Sequence, residues 1–167
     1  MYFGFSRDDP KLMAAVARLA AEEPFVRTTD LPAHVTLTVT SDISFTVDDD
    51  LPPPTDAEGR PQPGIDGSLI GRRRWQLAAA AAVSTHVSIE VHVGGRVWRQ
   101  ELAHIGSPAE IRDDGPSDVI GTRATFSLDP AYFTPGSSLP ADITELKPDV
   151  ASQPLPGTPA IVDLRRT

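Results

Sequence analysis

The sequence predicts an α/β fold: a two-layer α/β sandwich with a mixed, mostly antiparallel sheet and helices on one face. Three observations support this fold class. Two segments alternate apolar and polar residues on both sides of a short turn, as β-hairpins do. Two further segments have apolar or alanine-rich helical faces. The predicted order is helix, hairpin, loop, helix, hairpin, strand, strand, within 167 residues that make one ordinary domain over 1–167.

The first third of the chain predicts a helix, a hairpin and a loop. Asp8 or Asp9 can cap a helix over 10–23, which has its apolar residues on one face. Val35 to Val39 and Ile43 to Val47 alternate with polar residues, which predicts two paired strands. Pro, Asp and Gly dominate residues 51–65, so we expect an irregular loop there.

The next segment predicts a helix over 72–84, because its alanine run has high helix propensity. We expect its small face to pack on the sheet through Trp75, Ala78, Ala79 and Ala82.

A second hairpin is predicted over 87–93 and 97–102, where Gly94-Gly95 supplies the positive-φ turn. Further strands are expected over 121–128 and 160–165. Residues 134–159 form a Pro-rich connection that has no predicted helix or strand.

Composition excludes several classes of function. The net charge of −8 disfavours direct binding to nucleic acid, whose phosphates need clustered cations. No cysteine is present, which rules out disulfides and cysteine-bound zinc. His86 and His92 would lie about 20 Å apart on one strand, so they are not a metal pair. With neither a signal segment nor an apolar membrane span visible, we expect a soluble, cytoplasmic protein without a metal or cofactor.

Two motifs in the second half carry a family resemblance. Residues 95–100 (GRVWRQ), followed by Leu102 and Gly106, resemble the strand that ends in an Arg-Gln pair in the ATPase domain of DNA gyrase B. Gly121-Thr122, followed by Phe126 and Phe133, is similar to the later Gly-Thr strand of that domain.

The other likenesses extend the resemblance over nearly the whole chain. Residues 35–50 resemble the hairpin that ends in Asp-Asp-Gly in that family, and Ser84 stands where the family's lid helix ends. Residues 160–166 resemble the last strand of the ATPase domain. The resemblance implies the fold of the GHKL family, shared with Hsp90, MutL and histidine kinases, in which ATP lies between helices and sheet.

The same resemblance implies that this chain does not hydrolyse ATP. The family uses an asparagine of its early helix to ligate Mg²⁺ at the phosphates, beside a glutamate that activates water. Asparagine is absent from the whole sequence. Without that ligand the ion that neutralises phosphoryl charge loses its protein anchor. Glu22 and Glu23 are expected to be solvated surface acids at the end of the first helix.

Two residues match the family's recognition of the adenine base. Asp49 corresponds to the aspartate of Asp-x-Gly, with Asp48 or Asp50 as alternatives if the register shifts by one, although Leu51 and prolines follow it. Thr122 corresponds to the threonine that fixes the adenine edge. If one of the three carboxylates is buried beside the others, its pKa should rise, and a general-base role becomes conceivable.

The phosphate-binding lid of the family is replaced here. Only Gly67 and Gly71 remain of its glycines, and Arg72, Arg73 and Arg74 occupy the lid position. Three cations at a helix start oppose the helix dipole unless an anion or an acidic side chain lies among them. They can bind phosphate or carboxylate, cover the pocket, or remain exposed and screened.

These observations leave three hypotheses. The first is a gyrase-B-like pseudo-ATPase whose groove, bounded by Asp49, Trp75 and Thr122, binds a small molecule or a protein segment. The second is a cofactor-independent enzyme of the isomerase or cyclase type that reuses the pocket. The third is a regulatory partner of a gyrase-type ATPase. The chain also ends before the transducer and DNA-gate parts of gyrase B, so we expect no coupling of ATP to strand passage.

Overall fold

The computed structural model describes residues 8–27, 34–64, 66–71, 74–103, 108–147 and 157–166. In these ranges two α-helices accompany a seven-stranded sheet. The helices are α1 (Leu12–Arg27) and α2 (Trp75–Ala82). The strands are β1 (Val35–Ser41), β2 (Ser44–Asp49), β3 (Ser84–Val93), β4 (Arg96–Ala103), β5 (Arg112–Pro116), β6 (Gly121–Leu128) and β7 (Ala160–Asp163). Two short 3₁₀ helices, Pro130–Tyr132 and Ile143–Leu146, follow β6.

The sheet has the order β5-β4-β3-β6-β2-β1-β7. All neighbouring strands are antiparallel except β1 and β7, which run parallel. The predicted α/β class with a mixed, mostly antiparallel sheet is therefore confirmed.

One face of the sheet is apolar and buried, as the alternation of residues predicts. Leu37, Val47, Ala124 and Ile89 stand side by side on four neighbouring strands, and none of them is more than 1% exposed. The helices α1 and α2 contact each other and this face of the sheet. Small buried residues on the two helices, such as Ala17 on α1 and Ala80 on α2, allow the helices to pack closely against each other and the sheet. The two layers of the prediction are thus present in the described part of the chain.

Helix α1 begins where Asp9 accepts a hydrogen bond from the N–H of Lys11 at 2.8 Å, as the predicted cap requires. The helix continues past Pro24 to Arg27, four residues beyond the predicted end. Phe25 is buried in the core, and this burial favours the last turn in spite of the missing N–H of Pro24.

The predicted packing of α2 is confirmed for Ala79, which is buried, and for Ala78, which packs against the core, but it is wrong for Trp75 and Ala82. Leu77, Ala79 and Ala80 are the buried residues of this helix, whereas Trp75 is 73% exposed and Ala82 is exposed as well. Trp75 and Leu77 are two positions apart in the sequence, which places them about 200° apart around the helix axis. Because the side chain of Leu77 takes the core position, Trp75 lies on the solvent side of the helix. The other tryptophan, Trp98, packs half-buried against the core.

Both predicted hairpins and the strand over 121–128 are confirmed. Helix α2 ends at Ala82, and Ser84 opens β3 while its hydroxyl donates to the carbonyl oxygen of Ala80 at 2.7 Å. Strand β5 was not predicted, because its sequence RDDGP has no apolar alternation. It is an edge strand with four of its five residues exposed.

Gly121 opens β6 in a conformation that only glycine adopts easily, with φ of +141°. A Cβ atom at this position would lie 1.9 Å from the carbonyl oxygen of Asp49. The glycine of the Gly-Thr motif therefore lets the end of β2 pass close to the start of β6.

Candidate functional site

A groove of about 530 Å³ lies at one end of the helix-covered face of the sheet. Val91 and Thr122, from β3 and β6, lie at its base. Residues 51–63 form one wall, and residues 69–71 with Arg74 form the other. Most of the lining side chains are apolar, namely Leu51, Pro52, Pro53, Pro54, Pro61, Pro63, Leu69, Ile70 and Val91.

The first wall, residues 51–63, is named the flap here. It contains no helix and no strand of several residues, as the sequence indicates, but it is folded into a narrow turn. Thr55 and Pro61 form an antiparallel bridge, and the N–H of Gln62 donates to the carbonyl oxygen of Pro54 at 2.9 Å. The tip of the flap lies against the turn between β3 and β4, where Gly59 approaches Gly94.

Gln100 fixes the second wall. Gln100 is only 2% exposed. Its Oε1 atom accepts a hydrogen bond from the N–H of Leu69 at 2.8 Å. Its Nε2 atom donates to the carbonyl oxygens of Gly67 and Ala109 at 3.0 and 2.9 Å. All the hydrogen-bonding capacity of the amide group except one lone pair is thus used. Gln100, the end of the Arg-Gln pair in the sequence, holds the loop between the flap and α2 on β4.

Asp49 and Thr122 stand directly opposite each other on β2 and β6. Both are 7% exposed, so the expectation that the fold brings these two residues together is confirmed. The neighbouring carboxylates are at the surface: Asp48 pairs with Arg123 at 2.6 Å, and Asp50 pairs with His34 at 2.7 Å. Of the three consecutive aspartates, Asp49 is the buried one.

Asp49, which we expected to bound the groove, is not among its lining residues and is bound to Arg74 instead. The Nη2 atom of Arg74 donates to Oδ2 of Asp49 at 2.5 Å, and the N–H of Leu51 donates to Oδ1 at 3.1 Å. The Nε atom of Arg74 donates to Oε1 of Glu23. Glu23, Arg74 and Asp49 form the ionic triad, in which one guanidinium joins two buried carboxylates.

The expectation that Glu23 is a solvated surface acid is wrong. Its side chain is 1% exposed, and its Oε2 accepts hydrogen bonds from the N–H groups of Gln76 and Leu77 at 2.7 and 3.2 Å. Glu23 therefore caps the first turn of α2 from a different helix, in a segment where Arg74 makes no side-chain cap. It is also the acidic group that makes an arginine tolerable at this helix start.

In the triad one guanidinium, that of Arg74, is shared between the carboxylates of Glu23 and Asp49. Burial raises the pKa of Asp49, and the opposing effects of Arg74 and the Leu51 N–H do not cancel that rise. For Arg74, burial alone would lower the pKa, but the attraction of Asp49 and Glu23 outweighs it and raises the pKa. Arg74 is therefore always charged, whereas Asp49 gains a proton more readily than an exposed aspartate.

Arg74 and Thr122 retain donors at the groove. Within the described ranges, neither Nη1 of Arg74 nor the hydroxyl of Thr122 takes part in a hydrogen bond. Both residues line the groove. The site thus combines mostly apolar lining side chains with polar groups that include Arg74 and Thr122, and the stronger of these two is a charged donor.

The remaining predicted site residues are placed differently. Trp75, which we expected to bound the groove, is exposed and is not among its lining residues. Arg72 and Arg73 lie outside the described residues. Gly67 and Gly71 belong to the loop held by Gln100, and Gly71 lines the groove.

The outer face of the sheet carries a second set of charges. Arg99, Glu90, Arg123 and Asp48 stand in register on four neighbouring strands and alternate in sign. Arg99 pairs with Glu90, and Arg123 pairs with Asp48. These four residues are named the charge ladder. Because each cation has an acidic neighbour, the ladder offers no row of free arginines to a phosphate backbone.

Metal ligands and membrane-spanning helices are both missing from the described part of the chain. No group of three or more His, Cys, Asp or Glu side chains there is arranged to hold a metal ion. None of the helices in the described ranges is long and apolar enough to cross a membrane.

The geometry defines an α/β domain with a proline-walled groove and a buried ionic triad beside it. No protein-family model matches the chain, and no curated protein sequence matches it significantly.

Proposed function

We propose that this protein is a gyrase-B-like pseudo-ATPase that binds a small molecule in the groove and does not hydrolyse ATP. The observation that carries the proposal is the groove itself, with mostly apolar lining side chains and with Arg74 and Thr122 among its polar ones. Its volume of about 530 Å³ is within the range of small-molecule sites. The resemblance of the sequence to gyrase B supports the same location, since Asp49 and Thr122 are the residues that match base recognition.

Two features argue against ATP hydrolysis. No asparagine exists in the sequence to ligate Mg²⁺. Arg74 also occupies Asp49, the carboxylate that would have to accept the adenine amino group. We therefore expect no magnesium-dependent ATP turnover above a buffer control, measured by phosphate release.

Binding is favoured over cofactor-independent catalysis by the contacts of Asp49. Although burial raises its pKa, Asp49 is bound to Arg74 and to the Leu51 N–H and is not among the lining residues of the groove. A general base must lie within hydrogen-bond reach of the proton it removes. The carboxylate of Asp49 is structural in this arrangement.

The proposal is tested by a thermal-shift screen of nucleotides, gyrase-inhibitor scaffolds and apolar metabolites, with and without a chelator. Leu51→Trp adds bulk at the lining of the groove and should abolish the stabilisation by any true ligand. Leu164→Trp, at an exposed position after β7, is the matched control and should leave it unchanged. A ligand that requires metal, or that binds equally well to Leu51→Trp, would contradict the proposal.

A further inference from the structure

We infer that the ligand of this groove is a neutral, flat and largely apolar molecule that presents a hydrogen-bond acceptor, such as a carbonyl oxygen, to Arg74 and Thr122. The inference rests on the proposed function and adds the chemical class of the ligand. It also makes Arg74 the residue that determines specificity.

The preference for an acceptor follows from the contacts of the triad. Asp49 is bound to Arg74 and to the Leu51 N–H and is not among the lining residues of the groove, so an amino group of a ligand meets no carboxylate among those residues. Arg74 has only donors, and its Nη1 is unused within the described ranges. The Thr122 hydroxyl beside it donates as well as accepts. A carbonyl oxygen is the group that both side chains can bind.

The preference for a neutral ligand follows from charge. The triad contains two carboxylates and one guanidinium, so its charges sum to about −1 when all three groups are ionised. A carboxylate ligand would be attracted by Arg74 and repelled by the two carboxylates that already pair with it. A neutral acceptor keeps the hydrogen bond to the guanidinium without that repulsion.

The preference for a flat, apolar body follows from the flap. Five prolines line the groove: Pro52, Pro53, Pro54, Pro61 and Pro63. Proline rings offer rigid apolar surfaces without N–H groups, and they are the surfaces that aromatic side chains contact when proline-rich peptides are recognised. Here the rings belong to the receptor, so a planar aromatic ligand is the complementary partner. Because the prolines fix the wall in advance, little ordering of the flap opposes binding.

Four probes separate these requirements. 2-Acetylnaphthalene has a flat apolar body and a neutral acceptor; 2-isopropylnaphthalene has the same shape without the acceptor; 2-naphthoate carries a negative charge; adenosine presents an amino donor. Dissociation constants are measured by calorimetry, and shifts of the Val91 and Thr122 backbone amides in NMR spectra locate each complex. We expect 2-acetylnaphthalene to bind about tenfold more tightly than each of the other three, as a hydrogen bond to a charged donor gives.

Variants test which residues produce the preference. Thr122→Val removes the hydroxyl while keeping the branched shape, and it should reduce the advantage of 2-acetylnaphthalene over 2-isopropylnaphthalene about threefold. Thr36→Val, on the outer face of β1, is the matched control and should leave it unchanged. The combined variant Glu23→Gln, Asp49→Asn, Arg74→Met keeps the volume without buried charge, and it should abolish the advantage.

Several outcomes would overturn the inference while leaving the proposed function intact. These are equal affinity for 2-acetylnaphthalene and 2-isopropylnaphthalene with amide shifts at the groove, tighter binding of 2-naphthoate or adenosine there, or an advantage retained by the combined variant. Failure of all four probes to shift the groove amides of folded protein would overturn the inference as well. The proposed function itself fails only if the wider screen gives no ligand sensitive to Leu51→Trp.

Discussion

The ionic triad and the charge ladder use the same chemistry on opposite faces of one sheet. Both alternate arginine with carboxylates, and both join residues far apart in sequence. They differ in burial: the side chain of Arg74 is 9% exposed, whereas that of Arg123 is 55% exposed. Solvent screens the ladder and hydrates each of its members if a partner is lost. The carboxylates of the triad are 1% exposed, so solvent compensates poorly for a missing partner and the three residues depend on one another.

The comparison predicts its largest effect for Arg74→Met. Removal of the guanidinium leaves Glu23 and Asp49 buried without their counter-ion, so we expect a loss of about 3–5 kcal/mol in the free energy of unfolding. Chemical denaturation followed by circular dichroism measures this loss. A loss below about 1 kcal/mol would mean that water reaches the triad and that its burial is not what distinguishes the two regions.

The second prediction concerns the combined variant Glu23→Gln, Asp49→Asn, Arg74→Met. Its three neutral side chains leave no uncompensated charge, so it should be at least about 2 kcal/mol more stable than Arg74→Met alone. The same denaturation experiment compares the two proteins. If the combined variant is the less stable one, packing and capping by Glu23 outweigh the electrostatics, and the triad stabilises through its shape.

The third prediction uses pH to separate the buried carboxylate of Asp49 from the part-buried carboxylate of Asp163. The pKa of Asp49 is raised by burial, so the stability it contributes is present below its unfolded pKa and is lost as the pH rises through the folded value. Arg165 lowers the pKa of Asp163 to about 2, so the contribution of Asp163 has the opposite sign and is lost as the pH falls towards that value.

The two opposite pH dependences are tested by measuring the free energy of unfolding of Asp49→Asn and of Asp163→Asn, each relative to the parent protein, between about pH 2 and pH 7. The cost of Asp49→Asn should decrease as the pH rises, and the cost of Asp163→Asn should increase. A cost of Asp49→Asn that grows with pH would show that Arg74 dominates burial and that the pKa of Asp49 is lowered.

The smallest effect is expected for Arg123→Met in the charge ladder. Although this change removes an ion pair with Asp48 at 2.6 Å, the pair is half-exposed and should contribute about 0–1 kcal/mol. Arg123→Met and Arg74→Met remove the same group and add the same side chain, so they form a matched pair. Equal losses in the two variants would remove the distinction between the faces.

The sheet was predictable because the sequence pattern that specifies each strand lies within the strand itself. Alternating residues in both hairpins and in β6 report which face of a strand is buried, and glycines mark the turns. Strand β5 escaped prediction since its polar residues report no buried face. The predicted face of α2 was only partly right because the helical spacing of Trp75, Ala78, Ala79 and Ala82 was taken as the core stripe, whereas the position of Leu77 on the helix decided the packing.

The site was only partly predictable. Asp49 and Thr122 were found through motifs on separate strands, and their pairing follows from the order of the sheet. Glu23 was missed because its partners, Arg74 and the first turn of α2, lie about 50 residues away. Nothing local distinguishes Glu23 from Glu22. A signal did exist: an arginine run at a helix start requires an acid nearby, and the end of α1 contains the candidates.

The contact between the flap and the second hairpin gives the groove an adjustment point outside itself. A Cβ atom at Gly94 would lie 2.7 Å from the carbonyl oxygen of Gly59, and Gly94 has φ of +65°. Any other residue at position 94 must displace the flap tip or change the turn. The position of the flap therefore depends on a turn residue that is not among the lining residues of the groove. A substitution at this one position alters one wall of the groove while every lining side chain stays the same.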